Sequence, residues 1–470
     1  MGFFSPAPAR PVTIPADAIG SRFRFIRIRQ VSIMLLGYAL FYVCRLAFSA
    51  TKKTMIEQGA YTAREIGYVG SAMLIAYAIG KFICGFLADR ANIRRMFAFG
   101  LFVSSLATMS VGFHVPAVML MVIWFVNGFA QGSGSPCCVV SLARWWPNRS
   151  RGTYYGIWSC SNNLGEAIAY VVTSVIMVKV GEIWGTDMAW RSGFWGAAMF
   201  GFVGVVLISL FMRDSPQSEG LPPVAEWEGE IKGDAEKKNA TDVKRGQKIA
   251  FTSWAVWMVA LAGGFFCMSR YAIIDWGIFF LEVKKGYATK TAAYIVTLNS
   301  IVGAVSSGLS GIISDRVFRG SRNELALIAG ILNVTGLSLM MLVPFQCIWI
   351  DILAMVCFGL AAGVLLTFLG GLMAVDLVPR VAAGAALGIA GMGNYIGAGI
   401  QSAASGFLVG RDAATGKAYL YGHTFANGYT LDYISVFWIG MALLSVICAL
   451  SVWKVRPDSS CGRHQCRNRE

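Results

Sequence analysis

The chain has 470 residues, 56% of them hydrophobic and only 14% charged, and its mean hydropathy is +0.59. A soluble domain carries roughly 25% charged residues, so a water-covered enzyme, a disordered protein and a disulfide-built secreted scaffold are excluded. The formal net charge of +15 would suggest nucleic acid in a soluble protein, but a membrane protein gathers Lys and Arg in its cytoplasmic loops and becomes basic without any nucleic acid partner.

Twelve apolar blocks follow one another along the chain. In the first half they span 31–51, 66–88, 97–115, 117–141, 153–179 and 191–212. In the second they span 251–281, 291–313, 324–344, 347–375, 381–409 and 432–454. Blocks of this length, rich in Gly and Ala, predict bilayer-spanning helices; barrel strands would alternate over about ten residues. Residues 1–30 are Pro-rich at the start and carry Arg22, Arg24, Arg27 and Arg29. No small-residue cleavage site follows the first block, so no cleaved signal peptide is expected. Residues 213–250 turn sharply polar, from Arg213-Asp214-Ser215-Pro216 to Lys244-Arg245-Gly246-Gln247-Lys248. The expected architecture is an all-α membrane protein. It has a six-helix bundle over 31–212, a cytoplasmic linker over 213–250, a second six-helix bundle over 251–454, and a polar tail over 455–470.

With the N-terminus placed in the cytoplasm, 27 of the 40 Lys and Arg fall on that side, 10 on the other and 3 inside apolar blocks. The positive-inside rule therefore places both termini in the cytoplasm, and it accounts for most of the net charge. The 11 cysteines lie mostly within apolar blocks, where they act as small core residues. Cys461, His464 and Cys466 cluster in the tail but are too few for a metal site on their own. No metal, cofactor or enzymatic nucleophile–base set is expected, and the chain is read as a monomer.

The two halves repeat. Gly85-Phe86-Leu87-Ala88-Asp89-Arg90 recurs as Gly311-Ile312-Ile313-Ser314-Asp315-Arg316 at an offset of 226. Arg45 and Arg270 are offset by 225, and each is followed twelve residues later by a Glu, Glu57 and Glu282. Pro147, Gly152, Gly156 and Gly165 recur as Pro379, Gly384, Gly388 and Gly397, all offset by 232. A matched series in order is an internal repeat, the construction of many secondary transporters.

Away from the ends of the apolar blocks, Arg45, Lys81 and Arg270 are the cations, and Glu166 and Asp275 are the acids. An ionised side chain at mid-bilayer costs at least about 2.5–3.5 kcal/mol and normally faces a cavity or a partner. Arg45 alone could snorkel, Arg270 could pair with Asp275, and Glu166 could pair with Lys81 or an Arg. The repeat relation adds a further reading: equivalent arginines on the first helix of each half would face each other across a central cavity. Two facing guanidiniums need a shared anion, and their rigid forks match phosphate oxygens. A buried carboxylate titrating in a proton-coupled sugar or drug carrier is the competing reading.

Twelve helices, duplicated halves and a G-x-x-x-D-R loop in each resemble the major facilitator superfamily. That resemblance implies that Asp89, Arg90, Asp315 and Arg316 are conformational elements that do not touch substrate. Arg270-Tyr271-Ala272-Ile273-Ile274-Asp275-Trp276 with Glu282-Val283-Lys284-Lys285, and Ser314-Asp315-Arg316-Val317-Phe318-Arg319-Gly320-Ser321-Arg322, are similar to the organophosphate:phosphate antiporters. Phe41-Tyr42 before Arg45, the Ala76–Phe82 segment, Asn127-Gly128 with Gln131-Gly132, and Trp190-Arg191 fit the same family. The resemblance implies exchange of an organic phosphate, hexose-6-phosphate such as glucose-6-phosphate foremost, for inorganic phosphate by alternating access. Glycerol-3-phosphate or phosphoglycerate transport, and sugar-phosphate sensing on the same scaffold, are the alternatives. It also implies substrate contacts from Arg45, Arg270, Lys81, Tyr38, Tyr42, Tyr77, Asn162, Asn163 and Tyr395, with Asp275 and Glu166 as charge partners. The sequence departs from the family pattern in four places. Asn162 stands where a His is found in the glycerol-phosphate branch, Glu166 where small residues are usual, Leu46 where a Lys is common, and Leu387 and Ala390 where one hexose-phosphate carrier has an Asp and a Lys three apart.

Overall fold

The computed structural model describes residues 4–12, 15–88, 91–228, 248–318, 322–369, 373–378, 383–425 and 430–452. The first bundle comprises α1 (Ala16–Glu57), α2 (Ala63–Ala88), α3 (Ile93–Val111), α4 (Ala117–Gln131) with α5 (Gly134–Trp145), α6 (Asn148–Trp184) and α7 (Thr186–Phe211). A short α8 (Val224–Trp227) follows. The second bundle comprises α9 (Trp254–Lys284), α10 (Thr289–Arg316), α11 (Arg322–Leu342), α12 (Ile348–Thr367) with α13 (Met373–Asp376), α14 (Ala383–Phe407) and α15 (Tyr433–Ser451). Among the described residues ten helical spans are long and apolar enough to cross a bilayer. α3 and α14 stand in the two remaining places of a twelve-helix array. In the first half the fourth span is interrupted by a turn at Gly132-Ser133, between α4 and α5.

Packing follows the repeat. α1 packs against α6 and α7 as α9 packs against α14 and α15; α2 packs against α4 as α10 does against α12; α3 packs against α7 as α11 does against α15. The halves meet where α2 touches α14, α10 touches α6 and α1 touches α9. The first two crossings exchange equivalent helices, which is the signature of a two-fold relation between the bundles.

α1 is 42 residues long, about 63 Å at 1.5 Å per residue, twice the hydrocarbon thickness. The apolar block 31–51 is thus the middle of one continuous helix. Its first turns carry the N-terminal arginines, and its last turns extend beyond Lys52 and Lys53. At the terminus-bearing end, Asp214 folds the start of the linker onto the first bundle. It accepts from Arg144 Nη1 at 2.7 Å and from the backbone N–H of Ile93 and Ala7 at 2.9 Å each. Arg144 also donates to the carbonyls of Ala88 and Ala91, on either side of the Asp89-Arg90 pair. Asp89 and Arg90, and the Cys461, His464 and Cys466 cluster, lie outside the described residues. Asp315 and Arg316 end α10, and their side chains are likewise not described.

The far end holds two antiparallel hairpins between α14 and α15. β1 (Val409–Arg411) pairs with β2 (Ala418–Leu420), and β3 (Gly422–Thr424) pairs with β4 (Thr430–Asp432). In the β1–β2 turn Asp412 accepts from the Ala414 N–H and the Thr415 hydroxyl, which hold its carboxyl below the usual range. Arg411 reaches across the halves and donates to the Glu57 carbonyl at 2.9 Å, capping α1.

Also at the far end, α2 and α14 cross in backbone contact. A Cβ on Gly406 would lie 2.6 Å from the Ala63 carbonyl oxygen and 3.0 Å from Gly67 Cα, and Ser71 Oγ donates to the Gly399 carbonyl at 2.7 Å. Backbone atoms cannot yield as side chains do. Gly406→Leu therefore opens this crossing, at an overpacking cost of about 1–3 kcal/mol. The expected result is a roughly five- to hundredfold shift away from the sealed far end. It is read as faster reaction of a cysteine placed at Ser71 with an impermeant maleimide, and an unchanged labelling rate would refute it.

Candidate functional site

Arg45, Lys81, Arg270, Glu166 and Asp275 gather where the halves meet. Arg45 lies on α1, 94% buried. Its guanidinium sits over the rings of Tyr42 and Tyr77, 4.8 and 4.5 Å from their centroids, and its Nε donates to Gln131 Oε1 at 2.8 Å. Gln131 is fixed in turn. Its Nε2 donates to the Phe41 carbonyl, Ser104 Oγ and Asn127 Oδ1, and Ser104 donates to Asn127. Two aromatic faces and one anchored nitrogen set the plane of the fork. Among the described residues no carboxylate lies within ion-pair distance of Arg45.

Arg270 on α9 is equally buried but is held by an acid. Its Nη2 lies 2.8 Å from Glu166 Oε1, and Ser300 Oγ donates to Glu166 Oε2 at 3.0 Å. Glu166 belongs to the first half, Arg270 and Ser300 to the second. Of the partners open to Glu166 in sequence, the fold selects Arg270 over Lys81. Tyr271 lies within electrostatic reach of both arginines, which places Arg45 and Arg270 around one region.

Asp275 does not pair with Arg270. Five residues along a helix point the two side chains to different faces, and Asp275 instead meets Lys52 of α1 at 2.7 Å. Ser49 and Ser402 also donate to it, at 3.1 and 2.9 Å. Lys52 is completely buried, with its ammonium 4.1 Å from the centre of a Trp276 ring. In sequence Lys52 follows the apolar block 31–51, where hydropathy alone ends the span. The helix runs on to Glu57, and the second half covers it.

Aromatic side chains connect these charges. The Tyr38 and Tyr77 hydroxyls are 3.3 Å apart, Tyr38 packs against Tyr42 and Trp158, and Tyr77 packs against Tyr395 of the other half at 5.0 Å. Lys81 has no ion pair among the described residues. Its ammonium lies 6.0 and 5.5 Å from the Tyr77 and Tyr395 ring centres. Asn163 is buried, and Asn162 Oδ1 is buried without a hydrogen-bond partner. Arg45, Lys81, Tyr38, Tyr42, Tyr77 and Tyr395 therefore form one connected cluster, which Tyr271 links to Arg270 and Glu166. Asp275 stands apart from it at the Lys52 lock. Sequence reasoning missed Lys52, Gln131, Ser300 and Ser49. An amide in an otherwise apolar helix was the available signal for Gln131. Nothing local marks the two serines.

A family model described as Major Facilitator Superfamily matches residues 34–402. The chain is 32% identical over 425 residues to the glycerol-3-phosphate transporter of Bacillus subtilis, covering 87% of this chain and 92% of the relative. It is 29% identical over 414 residues to a probable hexose phosphate transport protein of Chlamydia pneumoniae, covering 84% and 88%. Among solved structures, a bacterial homologue of the human lysosomal transporter Spinster, inward-facing and unoccupied, has a TM-score of 0.68 at 16% identity, covering 91% of this chain and 96% of that one. The last likeness concerns the fold alone. The chain belongs to the Major Facilitator Superfamily and, within it, to the organophosphate:phosphate antiporter type: a multi-pass membrane transport protein and not an enzyme.

Proposed function

We propose that this protein exchanges an organic phosphate, hexose-6-phosphate such as glucose-6-phosphate foremost, for inorganic phosphate across the cytoplasmic membrane by alternating access. The observation that carries this reading is the environment of Arg45. A guanidinium 94% buried, oriented by two rings and Gln131 yet facing no carboxylate among the described residues, is suited to receive an external anion. Phosphate accepts such a fork bidentately. Arg270 supplies the second half of the clamp, and Lys81 adds positive potential. The relatives named for glycerol-3-phosphate and hexose phosphate support a phosphate ester as substrate. The hydroxyls of Tyr38, Tyr42, Tyr77 and Tyr395 and the amides of Asn162 and Asn163 suit its organic half.

The described ion pairs and hydrogen bonds between the halves lie from the level of the arginines outward to the far end. They favour a conformer open toward the termini, which the distribution of Lys and Arg assigns to the cytoplasm. Binding of a dianion screens the repulsion between the clamp cations and lets the halves approach, so the ligand stabilises the state in transit. The empty carrier keeps its repulsion and crosses slowly, which yields exchange in place of net flux.

Proteoliposomes loaded with phosphate test the proposal. Labelled phosphate should enter only when unlabelled phosphate or a sugar phosphate is inside, and glucose-6-phosphate should compete. Binding without flux would replace this reading with that of a sensor. Uptake indifferent to phosphate and steeply dependent on pH would replace it with proton-coupled transport of a neutral solute.

A further inference from the structure

A plain phosphate clamp has no use for Glu166. Its carboxylate is 99% buried, 2.8 Å from one of the two arginines, where it competes with any incoming anion. Ser300 fixes its other oxygen at 3.0 Å, so it is a built element of the site and not a stray acid. Its effect is best seen in the charge of the cluster. Arg45, Lys81 and Arg270 are counted against Glu166, which pairs with Arg270, and the Lys52–Asp275 pair cancels itself. Among the described residues three cations against one carboxylate leave a surplus of two positive charges.

Among buried side chains such as Arg45, Arg270 and Glu166 an uncompensated charge is expensive, so the surplus selects the ligand's charge. A phosphate monoester carries about −1.5 to −2 near pH 7. A phosphate ester that also bears a carboxylate carries close to one charge more. Within the cluster, Tyr38, Tyr42, Tyr77 and Tyr395 offer hydroxyls. These groups recognise alcohols and provide no further cation for a carboxylate.

Resting on the phosphate-exchange reading above, we propose that Glu166 is a specificity-determining residue. It holds the site at a surplus of two positive charges and thereby restricts the carrier to dianionic phosphate monoesters of polyols, excluding phosphate esters that carry an additional carboxylate. The substrate class is then that of a sugar phosphate or glycerol phosphate, and not that of phosphoglycerate or phosphoenolpyruvate.

The test is competition against labelled phosphate exchange in proteoliposomes, with glucose-6-phosphate, glycerol-3-phosphate, 3-phosphoglycerate and phosphoenolpyruvate as competitors. In the wild type the two dianions should inhibit at concentrations at least about tenfold lower than the two carboxylates, a difference of about 1.4 kcal/mol. Glu166→Gln keeps the shape and a hydrogen bond for Ser300 but raises the surplus by one, so the preference should collapse or invert. Wild-type exchange blocked equally or better by the carboxylated esters overturns the proposal, whether or not the variant assembles. An unchanged preference in a Glu166→Gln carrier that still exchanges phosphate overturns it as well. Absence of phosphate exchange in the wild type is a different result: it defeats the exchange reading first, and this one with it.

Discussion

Replacing Arg45 by lysine should remove phosphate exchange while the carrier still assembles, and Arg270→Lys should do the same. The charge is kept in both, so the loss isolates the geometry of the fork. At position 45 the guanidinium performs three tasks together. Its face lies on Tyr42 and Tyr77, its Nε is donated to Gln131, and its two terminal nitrogens remain for a ligand. An ammonium is a compact point charge with no plane to stack and no fork to present. Losing a desolvated, charge-assisted contact costs about 2–5 kcal/mol, so exchange should fall at least about thirtyfold at subsaturating phosphate. Arg270→Lys can still salt-bridge Glu166, and that is why it is the sharper variant: the inter-half pair survives while the bidentate grip does not. Counterflow of labelled phosphate at matched reconstitution decides the matter. Exchange within threefold of wild type (about 0.6 kcal/mol) in either variant removes that arginine from the clamp.

A second large effect is expected at the far end. Lys52 is fully buried, and its counter-ion Asp275 comes from the other half at 2.7 Å. Asp275→Asn leaves a buried ammonium uncompensated, at a cost of about 3–5 kcal/mol. Because the pair spans the interface, the molecule avoids most of that cost by separating the halves there. The far end should open, and thermal stability in detergent should fall. Lys52→Met with Asp275→Asn removes both charges and should recover most of the loss, because an isosteric apolar pair is often neutral or better. The interchange Lys52→Asp with Asp275→Lys should restore sealing in part. Melting temperature and maleimide labelling of the far end would be measured on all of these. Equal damage from the single and double variants would show that the pair does not act as a lock.

The bundle architecture was legible because bilayer-spanning helices write their length and apolarity into consecutive residues. The two buried arginines were legible as a pair because duplication placed Arg45 and Arg270 at the same register of two halves. The charge partners were not. Hydropathy ended the first block at residue 51 because two lysines follow it, whereas α1 continues to Glu57 and Lys52 is covered by residues from more than two hundred positions away. Glu166 could be seen as an intramembrane acid, yet its choice of Arg270 over Lys81 depends on how α6 meets α9. Ser300 and Ser49 bear on these charges only through the crossing of helices from opposite halves, and a serine in an apolar helix looks the same whether it meets a carboxylate or its own backbone.

The spacing of Arg45 and Lys52 along α1 has a mechanical consequence. Seven residues are two turns of helix, about 10.5 Å of rise on one face, so the arginine proposed to grip the ligand and the lysine paired across the halves ride on one stiff rod. Opposite them, Arg270 and Asp275 ride together on α9. On the proposed mechanism no separate relay need inform the far end that cargo has arrived. Any tilt of α1 against α9 that tightens the grip also levers Lys52 past Asp275, as the two ends of a lever must turn together.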